Sequence, residues 1–277
     1  MSKKVAFITG ASTGIGHASA KLLQQNGFKV YATARRVELM KDLEALGATA
    51  MHCDVTDSAE VQKTVDAIIE AEGQIDVVFA NAGYCLLGPV ELQSVEAVQH
   101  QYDVNVFGMH RTLQAALPHL RKRGQGRVII TSSSAGHISM PNLGWYSSTK
   151  YAQQATGDSL RGEVKPFGIH VSLIEPGYID TDIDNASLPT LDAAENHPQS
   201  NDEYKRQIRN FRKRWSTGID KGASANVIAA EVLKAATAAK PKRRYAAPTD
   251  AKLAKFMRRF VPAAMLDRVL YGVSIAD

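Results

Sequence analysis

The sequence predicts an α/β fold, a doubly wound parallel sheet in three layers with a C-terminal helical extension, and three observations carry that prediction. Short β-branched or apolar runs alternate with longer amphipathic ones. The first run enters a glycine-rich turn that opens directly into a helical pattern. The size also fits, because 277 residues at 44% hydrophobic and 22% charged suit one large domain over residues 1–277, while two full domains would be cramped.

Taken in order, residues 5–9, 29–33, 77–80, 127–131 and 170–175 read as strands, and a further strand precedes Cys53. Between them, 15–25, 38–46, 59–71, 95–120 and 146–164 have the length and spacing of crossover helices, so consecutive strands are expected to be parallel and connected right-handedly. After Thr181 the alternation stops, and a polar stretch rich in Asn, Asp and Pro runs to Asn201 as an insertion or flap. A helix follows at 204–215, with Tyr204, Ile208, Phe211 and Trp215 at helical spacing and six Lys or Arg side chains around them. A helix at 225–239 and a strand at 244–247 return to the alternating pattern. The tail, 248–277, is a basic amphipathic extension with Leu253, Phe256, Met257 and Phe260 on one face.

The net charge of +5 is unevenly divided: residues 1–203 hold 16 basic and 23 acidic side chains, whereas 204–277 hold 17 and 5. A basic C-terminal third suits an anionic partner, or is simply a solvated face. Nucleic acid is not the expected partner, because no DNA- or RNA-binding motif accompanies the cations, which alternate with a core-like apolar stripe. The apolar run at 5–8 is too short for a signal peptide or a membrane span, so the chain reads as cytoplasmic. Cys53 and Cys85 form neither a redox pair nor a zinc pattern, and no metal site is expected.

The first strand runs into Thr9-Gly10-Ala11-Ser12-Thr13-Gly14-Ile15-Gly16 and then a helix. Glycines let the backbone turn tightly against a pyrophosphate, and a helix N-terminus offers unpaired N–H groups with a partial positive charge, as in a Rossmann-type dinucleotide site. At the end of the second strand, where an acid would bond a ribose 2′-hydroxyl, the sequence reads Thr33-Ala34-Arg35-Arg36. Arginine there accommodates a 2′-phosphate, so NADP(H) is preferred with NAD(H) possible; alternatively both arginines are ordinary solvated residues. Cys53-Asp54-Val55 and Asn81-Ala82-Gly83 fall on the same crevice edge. Asp54 either accepts from an adenine amino group or caps the next helix, and Asn81-Ala82-Gly83 either closes on the cofactor or is only a turn.

Tyr146 and Lys150, four apart at a helix start, share one face. Lowering a tyrosine pKa from near 10 by about three units needs roughly 4 kcal/mol of phenolate stabilisation, which a neighbouring ammonium can help supply. Ser133, thirteen residues upstream at a strand end, places a hydroxyl at the same crevice, where it can hold a substrate oxygen. The plain readings are an exposed helical pair and a serine-rich turn.

Together, Thr9-Gly10-x-x-x-Gly14-x-Gly16, Asn81-Ala82-Gly83, Asn105, Ser133, Tyr146-x-x-x-Lys150 and Pro176-Gly177-x-x-x-Thr181 resemble the short-chain dehydrogenase/reductase family over about residues 4 to 181. The resemblance implies that Tyr146 is the acid/base of a hydride-transfer oxidoreductase and that Lys150 lowers its pKa and holds the nicotinamide ribose. It implies further that Ser133, or its neighbour Ser134, orients the carbonyl, and that Asn105 positions a relay water. Pro176, Gly177 and Thr181 would lie along the nicotinamide and its phosphates, and Ile179 would offer a backbone amide to the carboxamide. Arg35 without an acid at Ala34 is similar to the NADP(H)-preferring branch. Thr13 departs from it, since some such enzymes carry a second basic residue there.

In this family the segment after Thr181 and the C-terminus choose the substrate, so 182–222 is expected to cover the site. Tyr204, Ile208, Phe211 and Trp215, with Leu143, Trp145 and Tyr178, would form one wall of a greasy pocket or pack on the core. The long C-terminus resembles, more loosely, the 17β-hydroxysteroid and retinol dehydrogenase-like branch. That implies a bulky apolar substrate: a retinoid, a steroid or a long-chain aldehyde or ketone. The alternatives are a 3-oxoacyl-thioester reductase, whose acidic carrier would suit the basic face, and a non-catalytic NADP(H)-binding sensor. The family implies a homo-oligomer, dimer or tetramer, and Lys252, Lys255, Arg258 and Arg259 beside the apolar tail face suit peripheral contact with an anionic membrane.

Overall fold

The computed structural model describes residues 3–275, with backbone alone for 184–186, 271 and 273–275, so the expected 248–277 extension ends outside the described residues at 276–277. Its strands are β1 (Val5–Thr9), β2 (Lys29–Ala34), β3 (Thr49–His52), β4 (Val77–Ala80), β5 (Gly126–Thr131), β6 (Ile169–Pro176), β7 (Ile179–Asp180), β8 (Ala223–Ser224) and β9 (Arg244–Ala247). The first helices are α1 (Gly14–Gln25), α2 (Lys41–Ala45), α3 (Ser58–Glu72), α4 (Val95–Tyr102), α5 (Gly108–Arg123) and α6 (Gly144–Val164). After them come α7 (Ile183–Glu195), α8 (Asp202–Asp220), α9 (Ala225–Thr237), α10 (Thr249–Phe260) and α11 (Ala263–Ile275).

The main sheet is parallel, in the order β3-β2-β1-β4-β5-β6-β9. Every residue of β1 and β4 is buried, because helices cover both faces and leave no solvated side to demand alternation. On one face Ala20 and Leu23 of α1 and Ile228 and Val232 of α9 pack against Ala6, Ile8, Val30 and Phe79. On the other, Val61, Val65 and Ile68 of α3 and Leu113 and Leu120 of α5 meet Phe7, Val78, Val128 and Ile130. The direction of winding reverses between β1 and β4, which opens a crevice at their carboxyl ends.

Two expectations are corrected. The single helix at 95–120 is two helices joined by a π-helical turn, Asp103–Phe107, whose extra residue rotates Asn105 inward to full burial. The polar stretch to Asn201 is largely α7, which keeps Pro189 inside it and turns Leu188, Leu191 and Ala194 onto a common apolar cluster. A two-residue parallel pairing of β7 with β8 ties together the two ends of the α7–α8 segment. In α10 the packed face is Ala251 and Ala254, so Leu253, Phe256 and Phe260 are exposed. No helix among the described residues is long and apolar enough to cross a membrane.

Candidate active site

At the end of β1 the chain turns through Gly10 (φ +68°) and Gly14 (φ +57°) into α1. A Cβ on Gly10 would sit 2.7 Å from the Ala82 Cα, and one on Gly16 would sit 2.1 Å from the Gly10 carbonyl oxygen, so glycine alone lets the 81–83 loop, the turn and the helix start close on one another. Asn81 fastens the arrangement: its Nδ2 donates to the carbonyls of Thr9 and Gly10, both at 3.1 Å, and its Oδ1 accepts from Thr131 Oγ1 at 2.9 Å. Ser12, Thr13, Gly14 and Ile15 are half-buried along this edge. The Thr13 side chain makes no capping bond and the first turn of α1 holds no acid, so the first N–H groups face the cleft with the helix dipole behind them. Such a donor set fits a dinucleotide pyrophosphate.

Arg35 and Arg36 stand exposed just past β2, while Val55 is buried against Gly108 of α5. Asp54 folds back on Thr56, accepting from its N at 2.9 Å and its Oγ1 at 2.8 Å; the cap of α3 is Asp57 instead. Burial alone would raise the Asp54 pKa, but the Thr56 bonds and the nearby Arg35 charge together hold it below the usual carboxylate value. Across the crevice Thr181 abuts the helix start, its Cβ 3.2 Å from where a Gly14 Cβ would be. Pro176 is buried and Ile179 packs into the sheet core. Gly177 faces Asp250 of α10, whose Oδ2 accepts from the Tyr178 backbone N at 2.8 Å; the sequence offered no signal for that bond, made 72 residues away.

Tyr146, Lys150 and Ser133 converge beside this groove. The Ser133 hydroxyl donates to the Pro176 carbonyl at 3.5 Å, accepts from the Ala135 backbone N at 3.1 Å and lies within hydrogen-bond reach of the Tyr146 phenol, whereas Ser134 stands in the half-buried turn beyond. Lys150 Nζ donates to the Thr131 carbonyl at 3.0 Å and lies 5.5 Å from the centroid of the Tyr146 ring. Burial, and then the Cys85 thiol, push the phenol pKa up, against the Ser133 bond. The lysine moves the other way, lowered by burial from 10.5 to about 8, so both groups are biased toward their neutral forms. Asn105 closes the rear: its Oδ1 accepts from Tyr84 N at 3.0 Å, and its Nδ2 donates to Tyr84 O at 3.0 Å and Thr149 Oγ1 at 3.1 Å. Its own carbonyl accepts from Gln153 Nε2 at 2.6 Å.

Above the phenol sits a third apolar cluster. Ile208, Phe211, Trp215 and Ile219 of α8 and Leu191 and Ala194 of α7 pack with Cys85, Leu87, Leu92 and Leu143, and Tyr146 and Tyr178 lie against them. The Trp215 ring stacks on Phe211 at 5.8 Å and meets Tyr178 edge-on at 6.0 Å. The expected wall therefore joins the site and the core at once. Trp145 is not part of it, because its indole N–H is drawn to the Val90 carbonyl, 3.3 Å away.

Residues 4–192 match the model of a family described as short chain dehydrogenase. The chain is 32% identical over 277 residues to the NADPH-dependent 3-dehydrocapnine reductase of Ornithobacterium rhinotracheale, covering 97% of this chain and 96% of that one. It is 40% identical over 193 residues to 17-beta-hydroxysteroid dehydrogenase type 1 of Homo sapiens, 65% of this chain and 58% of that protein. A short-chain dehydrogenase from Streptomyces avermitilis superposes with a TM-score of 0.80 at 29% identity, over 97% of this chain and 94% of that one.

Proposed function

Because the chain belongs to the short-chain dehydrogenase family, we propose that it is an NADP(H)-preferring oxidoreductase interconverting a carbonyl and an alcohol on a bulky apolar substrate, such as a retinoid, a steroid or a long-chain aldehyde or ketone. The observation that carries the substrate class is the apolar cluster of α7 and α8, with Phe211 and Trp215 of α8 in it, against which Tyr146 packs. The steroid named for one relative and the NADPH named for another agree with this reading.

The cofactor, when bound, supplies or accepts the hydride. Gly10, Ser12, Thr13, Gly14, Ile15 and Gly16 would hold its pyrophosphate, Arg35 and Arg36 its 2′-phosphate, and Asp54, Val55, Asn81, Ala82 and Gly83 its adenosine side. Pro176, Gly177, Ile179 and Thr181 would flank the nicotinamide end. Ser133 and Tyr146 aim two hydroxyls at one point, where together they hold a substrate oxygen; Tyr146 passes it a proton as charge develops. Charged Lys150 is the cation within reach that stabilises the phenolate left behind. Asn105 fixes the Tyr84 backbone and, through Thr149, the helix that carries Tyr146 and Lys150.

We read residues 1–277 as one functional unit in the cytoplasm and a homo-oligomer, with the exposed Leu253, Phe256, Phe260, Met265 and Val269 and their flanking cations making peripheral contact with an anionic bilayer. The test is NADPH oxidation against retinal, steroid ketones, long-chain aldehydes and 3-oxoacyl thioesters, with Tyr146→Phe in parallel. Turnover of an apolar ketone or aldehyde that disappears in Tyr146→Phe is the expected result. Turnover of thioesters alone would move the assignment to carrier-bound chains, and tight NADPH binding without any turnover would favour a sensor.

A further inference from the structure

Residues of α6, β9, α10 and the loop before β9 line an open cleft of about 730 Å³: Asp158, Arg161, Lys242, Arg243, Arg244 and Lys255. Five cations face one acid there, and the fully buried Glu175 pairs with Arg244 and Lys255 from below. Their pairings are uneven. Arg244 binds Gln154 Oε1 at 2.8 Å, Glu175 Oε1 at 2.5 Å and the Asp158 carboxylate; Arg161 binds Asp158 Oδ1 at 2.7 Å and the Val171 carbonyl at 3.1 Å. Lys255 lies 3.5 Å from Glu175. Lys242 and Arg243 have no side-chain partner among the described residues, and Arg161 Nη2 is buried without a hydrogen bond.

We propose that this cleft is a second binding site, for a compact phosphate-class anion, and that its occupancy is relayed to the catalytic serine through Arg244 and Gln154. Two carboxylates leave three positive charges uncompensated in the cleft, and a phosphate dianion offers both the charge and acceptors enough for the exposed Lys242 and Arg243. The relay is short. Gln154, whose Oε1 is held by Arg244, donates from Nε2 toward the Ser133 carbonyl at 3.5 Å. A Cβ on Gly136 would lie 2.4 Å from that same Nε2, so the 133–136 turn is seated on the Gln154 amide. His137 Nε2, one residue on, stands 3.1 Å from Glu175, which Arg244 also holds. An anion that draws Arg244 outward loosens both grips on the turn that aims the Ser133 hydroxyl.

The experiment is calorimetric titration of inorganic phosphate and pyrophosphate into protein already saturated with NADPH, at constant ionic strength set with chloride, so that the dinucleotide groove is filled and general screening is matched. Wild-type protein is expected to bind, and the Lys242→Gln/Arg243→Gln double variant to bind roughly tenfold or more weakly, while keeping the wild-type circular dichroism and NADPH affinity. Saturating pyrophosphate should lower kcat about fivefold in the wild type and leave the double variant unmoved. Absence of binding, equal binding by the double variant, or binding seen only with phosphatidylglycerol vesicles overturns the site. Binding that leaves kcat unchanged overturns the relay. The binding outcomes hold whatever the enzyme turns over, whereas the kcat outcome rests on the oxidoreductase reading and is taken with a substrate whose turnover Tyr146→Phe abolishes.

Discussion

Replacing Lys150 with methionine should stabilise the fold while ending turnover. Lys150 is 4% exposed, and burial is the largest cause of its pKa falling from 10.5 to about 8. A displacement of that size, at 1.36 kcal/mol per unit, means that holding the charged lysine in place costs about 3 kcal/mol below pH 8. Methionine fills a similar volume without the charge, but strips the Thr131 carbonyl of its 3.0 Å donor, which costs about 1 kcal/mol. The net gain at pH 7 is about 2 kcal/mol, or roughly 4 to 8 °C in Tm. The pH dependence has a fixed sign. Because the folded-state pKa lies below the unfolded one, the unfolded chain binds more protons between about pH 8 and 10.5, so wild-type stability gains on the variant across that window. Urea unfolding of both proteins at pH 7 and pH 10 reads the difference directly. A variant no more stable than wild type at pH 7, or one whose advantage grows with pH, would refute the reasoning.

Three other substitutions test separate parts of the site. Gly10→Ala forces a left-handed residue and a Cβ 2.7 Å from backbone, so NADPH affinity should collapse and the fold lose about 2 kcal/mol; fluorescence titration and thermal melts would expose an error if either stayed at the wild-type value. Arg35→Asp should weaken NADPH roughly tenfold and strengthen NADH, and equal losses for both cofactors would remove Arg35 from the 2′-phosphate site. Trp215→Ala empties the centre of the α8 cluster, a deletion of the kind that costs about 3 to 5 kcal/mol when fully felt. Its expected signature is a raised KM for bulky ketones with small aldehydes unaffected, and identical KM changes for both would argue that Trp215 does not line the pocket.

The sheet was legible because its inner strands are buried on both faces and carry the alternation with the helices openly, and the turn at Gly10 to Gly16 announces the crevice. Elsewhere the signal was local and the structure was not. The π turn adds one residue to an otherwise helical pattern, which leaves the periodicity of 95–120 intact while re-aiming Asn105. Pro189 and the surrounding Asn and Asp residues disguise α7, whose stability comes from packing on α8. Asp250, Gln153, Gln154 and Cys85 all touch the catalytic region, yet each does so through contacts set by tertiary folding. Trp145 shows the converse: expected in the pocket wall with Leu143 and Tyr178, it stands outside their cluster and donates to the Val90 carbonyl.

The pairing of β7 with β8 brings residue 223 back to within one strand spacing, about 5 Å, of residue 179. Everything between those points is a closed excursion, and the entropy of closing such a loop rises by only about 0.6 kcal/mol for each doubling of its length. The segment can therefore be lengthened, shortened or exchanged with little penalty to the sheet beneath, and the residues that perform the chemistry lie outside it. On the proposed function, substrate range would be modular, separable from the proton-transfer residues at a joint four residues wide.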